Sequence, residues 1–121
     1  MRPFGELEAD IMKVMWAAPT PLSTNEIVAA LGEERGLAYT TVMTVTDRLR
    51  VKGWLGREKE GRSYRYSPVR SSDDYTAELM RQALADAPDP ANALLRFAGG
   101  LDPSEAEALR AALGDARTAE R

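Results

Sequence analysis

Thr40, Thr41, Thr44 and Thr46 crowd into one stretch, AYTTVMTVTDRLRVKG, which then turns basic at Arg48, Arg50 and Lys52. A threonine hydroxyl donates and accepts hydrogen bonds, and its methyl packs on apolar groups. Arg57, Lys59, Arg62, Arg65 and Arg70 follow, so residues 48–70 hold 8 basic and 2 acidic side chains, a net of +6. Hydroxyls beside a dense positive patch suit an anionic polymer. Hydroxyls and methyls can meet base edges, while cations meet phosphates, which position a protein without reading sequence. A solvated, charged hairpin accounts for the charges equally well.

Other chemistries are poorly served. The chain has 0 His and 0 Cys. Disulfides, thiolate nucleophiles and cysteine-based zinc sites are excluded, and the commonest general base and metal ligand is missing. No suggestive pair of carboxylates or lysines replaces them. No catalytic residue, metal or cofactor is therefore expected, and the chain does not read as an enzyme. With 121 residues it makes one domain or two small ones. No apolar run reaches the roughly 18 residues of a membrane span. The start, MRPFGELEAD, turns acidic at once without the apolar core of a signal peptide. The expectation is a cytoplasmic protein without membrane insertion. Residues 1–70 carry 11 basic and 9 acidic side chains (+2), and residues 71–121 carry 5 and 10 (−5). An anionic partner would meet the first part only.

The elements that must position these groups can be read from periodicity. Leu7, Ile11, Val14 and Met15 recur at helical spacing over 5–17, and Pro19 and Pro21 close that helix. In LSTNEIVAALG, Ser23 and Glu26 have capping-box spacing, Leu22 and Ile27 that of a staple, and Gly32 is the stop. Ile27, Val28 and Leu31 face the core, and GEERG, 32 to 36, is a loop. The threonine stretch has strand-like propensity. Strict alternation, however, would put Val42 and Val45 on opposite faces. Helical spacing collects Ala38, Val42, Val45 and Leu49 on one side, with Thr40, Thr41, Thr44 and Arg48 on or beside the other. The helix template fits better, and Gly53 ends it. WLGREKEGRSYRYSP switches to a period of two around Glu60-Gly61-Arg62 and reads as a hairpin. It would lean on the helices through Leu55, Tyr64 or Tyr66, these tyrosines being core rather than base-stacking platforms. Trp16 and Trp54 also read as packing.

Beyond residue 70 three helical segments follow. SSDDYTAELMRQALADA carries the stripe Tyr75, Leu79 and Ala83, with Met80 and Leu84 alongside, and Pro88 and Pro90 break it. NALLRFA is short and apolar. LDPSEAEALRAALG opens on Asp102, Pro103 and Glu105 and shows Leu109, Ala112 and Leu113 on one side.

Three helices and a basic hairpin make a winged helix-turn-helix whose third helix enters the major groove. The fold class is mainly α (α+β): residues 1–70 a winged helix with a two- or three-stranded wing sheet, 71–116 three helices, 117–121 a frayed tail. Thr40, Thr41 and Thr44 would meet base edges. Arg48, Lys52, Arg62 and Arg65, with Arg50 and Lys59, would carry charge toward phosphates. Competing readings make the threonines a solvated face, pair Arg48 with an internal acid, and leave Arg62 a plain turn residue. A winged helix used only for protein–protein contact is the alternative for the whole chain. Salt separates the two, because binding through phosphates weakens steeply with ionic strength.

LEADIMKVMW, LSTNEIVAAL, AYTTVMTVTDRLRVKGWL and RSYRYSPV follow one another in an order and spacing that resemble the BlaI/MecI penicillinase-repressor family of winged-helix regulators, over roughly residues 5–113 and most closely its actinobacterial members. The resemblance implies a homodimeric repressor on a palindromic double-stranded DNA operator with TACA and TGTA half-sites. It puts Thr40, Thr41 and Thr44 at groove-facing positions and Arg48 at the basic position of the recognition helix. It also implies dimerisation through the C-terminal helices, which suits Tyr75, Leu79, Ala83, Leu94, Leu95, Leu109 and Leu113. A membrane-bound sensor protease relays induction in some members by cutting between Asn and Phe. Arg96-Phe97 stands at that place here, which puts cleavage there in doubt. Copper-responsive relatives carry a cysteine cluster, which this chain lacks.

Overall fold

The computed structural model describes residues 3–32 and 36–119. Along them run α1 (Glu6–Ala17), β1 (Leu22–Ser23), α2 (Thr24–Leu31), α3 (Tyr39–Val51), β2 (Leu55–Glu60), β3 (Ser63–Pro68), α4 (Ser72–Ala85), α5 (Pro90–Gly99) and α6 (Pro103–Ala119). The fold is mainly α with one small sheet. Of the expected GEERG loop, residues 33–35 lie outside the described residues.

Local chemistry starts and stops these helices. Ser23 Oγ accepts from the Glu26 N–H, and Glu26 Oε1 accepts from the Ser23 N–H, both at 3.2 Å, which completes the capping box of α2. At the end of α3, the Gly53 N–H donates to the Arg50 carbonyl and the Trp54 N–H to the Leu49 carbonyl, both at 3.0 Å. This pair of bonds turns the chain through a left-handed residue, and Gly53 supplies it with φ 90°. Asp102 and Glu105 exchange the same reciprocal bonds as Ser23 and Glu26, at 3.0 and 2.8 Å, to open α6. That helix runs on through Ala119, where a frayed tail was expected from 117; residues 120–121 lie outside the described residues.

The core gathers Ile11, Met12 and Met15 of α1, Ile27 of α2, Val42 and Leu49 of α3, and Trp54, Leu55 and Tyr66 from the base of the hairpin. The threonine-rich stretch is a helix, but its buried row is Val42, Thr46 and Leu49. Ala38 is an exposed N-cap, and Val45 is only partly buried. Likewise Met12 is buried in α1, where Leu7 and Val14 are only partly so. In both helices the face centres one residue away from the one expected, a shift that periodicity tolerates because neighbouring rows share an apolar stripe.

The sheet is antiparallel in the order β1-β3-β2. Leu22 and Ser23 pair with Tyr66 and Arg65, and β2 pairs with β3 from Leu55↔Pro68 to Glu60↔Ser63. Gly61 and Arg62 form the tip, with Gly61 at φ 65° as a tight two-residue turn demands. The two tyrosines share one face of β3, but distance along the wing separates their fates: Tyr66 lies in the core, while Tyr64, expected there too, is exposed further out.

Tyr75, expected on the dimerisation stripe, packs within the winged helix. Its ring stacks on Phe4 with centroids 4.0 Å apart and meets Trp54 edge-on at 5.5 Å. Its Oη accepts from the Phe4 N–H at 2.8 Å. Trp16 Nε1 donates to the Arg70 carbonyl at 2.8 Å, and the Arg70 guanidinium lies 4.3 Å above Trp54. An aromatic ring with a polar tip buries well where that tip finds a partner. The first turns of α4 therefore belong to the winged helix, and the chain divides between Leu79 and Met80, inside α4, rather than at 70/71. In the second unit, none of the described side chains of residues 80–115 is buried.

Candidate nucleic-acid interface

The face of α3 opposite its buried row is open. Tyr39, Thr40, Thr41, Met43, Thr44 and Arg48 are all exposed. Thr44 Oγ1 donates to the Thr40 carbonyl at 2.8 Å. Its proton is thus used within the helix, and what it offers outward is an acceptor and a methyl. Arg48 makes no ion pair within the described residues, so the internal pairing that competed for it is not realised.

The remaining cations divide sharply. Arg62 at the turn and Lys59 beside it are exposed, with no partner among the described residues. Lys52 and Arg65, both expected to face phosphates, are each held in ion pairs within the protein. Lys52 Nζ sits 2.7 Å from Glu8 Oε2, tying the end of α3 to the start of α1. Glu8 Oε1 meanwhile accepts from the Gly5 N–H at 3.0 Å. Burial pushes the Glu8 pKa up, but the Lys52 hydrogen bond, the Gly5 N–H and the charges of Lys52 and Arg48 outweigh it, leaving a net lowering. Arg65 lies on the sheet face opposite Tyr66, because side chains alternate along a strand. There it meets Glu26 at 2.9 Å, Glu60 at 3.2 Å and the Pro21 carbonyl at 3.1 Å. It clasps the wing to α2 and β1.

One cluster was missed by sequence reasoning. Asp47 Oδ1 accepts from Arg50 Nε at 2.7 Å and from Arg57 Nη1 at 3.1 Å. The Arg57 guanidinium also lies 3.9 Å from the centroid of the Tyr64 ring. The Arg50 hydrogen bond, against a smaller cost of burial and with the charges of Arg50 and Arg57, lowers the Asp47 pKa. The Asp47–Arg50 spacing of three was a signal open to sequence reading; the arrival of Arg57 from another element was not.

Among the described residues no group of three or more metal-ligating side chains forms, and no helix is long and apolar enough to cross a membrane. The arrangement offers contacts to a polymer rather than chemistry on a bound molecule.

Residues 4–115 match the penicillinase repressor family. The chain belongs to that family. Its members are transcriptional repressors, not enzymes. A transcriptional regulator BlaI of Mycobacterium tuberculosis is 40% identical over 114 residues, covering 92% of this chain and 83% of its own. The penicillinase repressor of Bacillus licheniformis is 34% identical over 70 residues, covering 58% of this chain and 54% of its own. Among solved structures, the DNA-binding domain of the repressor BlaI superposes with a TM-score of 0.53 at 33% identity, covering 60% of this chain and 87% of that one. The monomeric form of B. licheniformis BlaI in complex with the blaP half-operator gives 0.50 at 32% identity, covering 61% and 89%. These family members share the winged helix seen here. The chain is a DNA-binding repressor.

Proposed function

We propose that two copies of this chain repress transcription together by holding a two-fold symmetric operator, each placing α3 in the major groove of one half-site. The exposed face of Thr40, Thr41 and Thr44, flanked by Arg48 and by Arg62 at the turn, carries this reading. Short hydroxyl and methyl side chains let a helix approach base edges closely, and Arg48, Lys59 and Arg62 remain available to phosphates. TACA and TGTA half-sites are the family's pattern and the first sequences to test.

The end of α4, with α5 and α6, calls for the second copy. Met80, Leu94, Leu95, Phe97, Leu109 and Leu113 are all exposed large apolar side chains in a unit where no described side chain is buried. So much apolar surface on short helices calls for a covering partner, and two-fold pairing matches a symmetric site. Ala83 lies on α4 within this unit and Leu79 just before it in the same helix, while the Tyr75 ring is occupied by its stack on Phe4. The reading places the protein in the cytoplasm. A membrane-bound sensor protease is the relay that the family suggests, but Arg96-Phe97 lies within α5, a hydrogen-bonded helix rather than an extended substrate.

Selection of genomic fragments by the purified protein at near-physiological salt tests the reading. Enrichment of a two-fold symmetric sequence is the expected outcome, and its neighbouring genes would name the pathway. No enrichment by a folded, dimeric protein would overturn it in favour of a protein–protein module.

A further inference from the structure

We propose that Asp47 is a positioning residue that assembles Arg50 and Arg57 into a two-guanidinium clamp for one DNA backbone phosphate, seated where α3 meets the wing. This rests on the DNA-binding reading above.

The sheet sets the place of the trio. Leu55 and Tyr66 point into the core, and alternation puts Arg57 and Tyr64 on that same face further along the wing. Beyond the core this face looks toward α3. Asp47 stands one turn on from Thr44 and two from Thr40, so it shares their outward side of the helix. Its side chain is 40% exposed, and those of Arg50 and Arg57 are 32% and 30% exposed.

The division of donors points to the clamp. Arg50 spends only Nε on Asp47, and Arg57 spends only Nη1, both on the single oxygen Oδ1. The outer N–H groups of both guanidiniums make no other hydrogen bond within the described residues. Two guanidiniums this close repel each other unless an anion lies between them, and Asp47 is that anion before DNA arrives. Tyr64 supports Arg57 from the other side by a cation–π contact. The trio carries a net charge of +1 and presents forked donors, the geometry that suits a phosphate. Holding both side chains in place beforehand removes ordering cost from binding.

The proposal makes a prediction opposite in sign to simple charge counting. Removing a carboxylate near DNA should strengthen binding to every sequence if it only repels. If Asp47 positions the clamp, Asp47→Asn weakens binding about tenfold, the scale of one charge-assisted hydrogen-bond set. It also lowers the slope of log affinity against log salt by about one unit per half-site, the value of one phosphate contact. The experiment uses full-length protein and a duplex selected by the wild type, titrated across salt concentrations. Arg57→Ala should reproduce the loss, and Asp47→Ala with Arg57→Ala should lose little more than either alone, because both act on one contact. Tighter binding by Asp47→Asn, an unchanged slope, or fully additive losses would overturn the clamp while leaving the repressor reading intact. Failure of the wild type to select any duplex would overturn both.

Discussion

At the scale of single residues, hydroxyls of one type do opposite work on two faces of α3. Thr44 is exposed with its proton given to the Thr40 carbonyl. Its outward contribution is then a lone pair and a methyl, and substitution can separate them. Thr44→Val keeps the methyl and removes the acceptor; Thr44→Ala removes both. If the methyl packs on a thymine, only Thr44→Ala should relax discrimination, by about 1–3 kcal/mol at one base position. Equal preference profiles for all three proteins would take Thr44 out of base readout. Thr46 is fully buried, and its Oγ1 has no hydrogen-bond partner among the described residues. A buried hydroxyl left unpaired costs about 1–3 kcal/mol. Thr46→Val has nearly the same shape and removes that cost, so it should raise stability by about 1 kcal/mol. A urea midpoint moved upward at constant slope would show it; a lower midpoint would mean that the hydroxyl finds a partner in solution.

At the scale of elements, ion pairs decide how the helices and the wing are joined. Glu8 and Lys52 tie α1 to the end of α3, Arg65 clasps the wing to α2, and Asp47 joins α3 to β2. The Glu8 tie is pH-dependent with a definite sign. Its pKa lies below the ordinary 4.5 in the folded protein. A depressed carboxyl contributes stability that is fully present above its unfolded pKa and is lost as pH falls through the folded value. Glu8→Gln should therefore destabilise the protein near neutrality. The gap from wild type should close as pH falls below the ordinary carboxyl range and through the lower folded value, where the Glu8 carboxyl is protonated in the folded protein as well as in the unfolded chain. Urea midpoints for both proteins across this range test it, and a gap that stays constant at every pH would assign the effect to packing instead. Glu8 also serves as the partner of the Gly5 N–H, a role that the glutamine amide oxygen preserves.

At the scale of the whole molecule, the two units bury their apolar side chains differently. The winged helix closes a core of its own from Ile11 to Tyr66, sealed by the stacked rings of Phe4 and Tyr75. The second unit leaves Leu95 71% and Leu113 57% exposed. Leu95→Asp should not disturb the fold of the single chain, because the side chain makes no core there. It should convert the proposed dimer to a monomer in sedimentation and reduce operator affinity by far more than one contact is worth, since each half-site holds its reader weakly without the other. A dimer that survives the change would move the interface off α5.

Much of this architecture was legible without the fold because its causes are local. Ser23 with Glu26, Asp102 with Glu105, and Gly53 at the end of α3 each act within a few residues, and amphipathic spacing turned a threonine-rich stretch into a helix despite its propensity. The family likeness was readable too, from motifs in order along the chain. Three things were decided only in three dimensions. Lys52 meets Glu8 across 44 residues, Arg65 reaches the Pro21 carbonyl across 44, and Tyr75 meets Phe4 across 71. Sequence separation hides such partners, so a run of eight cations looked uniformly available. Packing divided it into Lys52, Arg65 and Arg70, paired with acids of the scaffold, Arg50 and Arg57, gathered on Asp47, and Arg48, Lys59 and Arg62, left open. A basic side chain's type is set by the sequence, but whether its charge is spent inside the protein or offered to a phosphate depends on which acid the fold brings within about 3 Å.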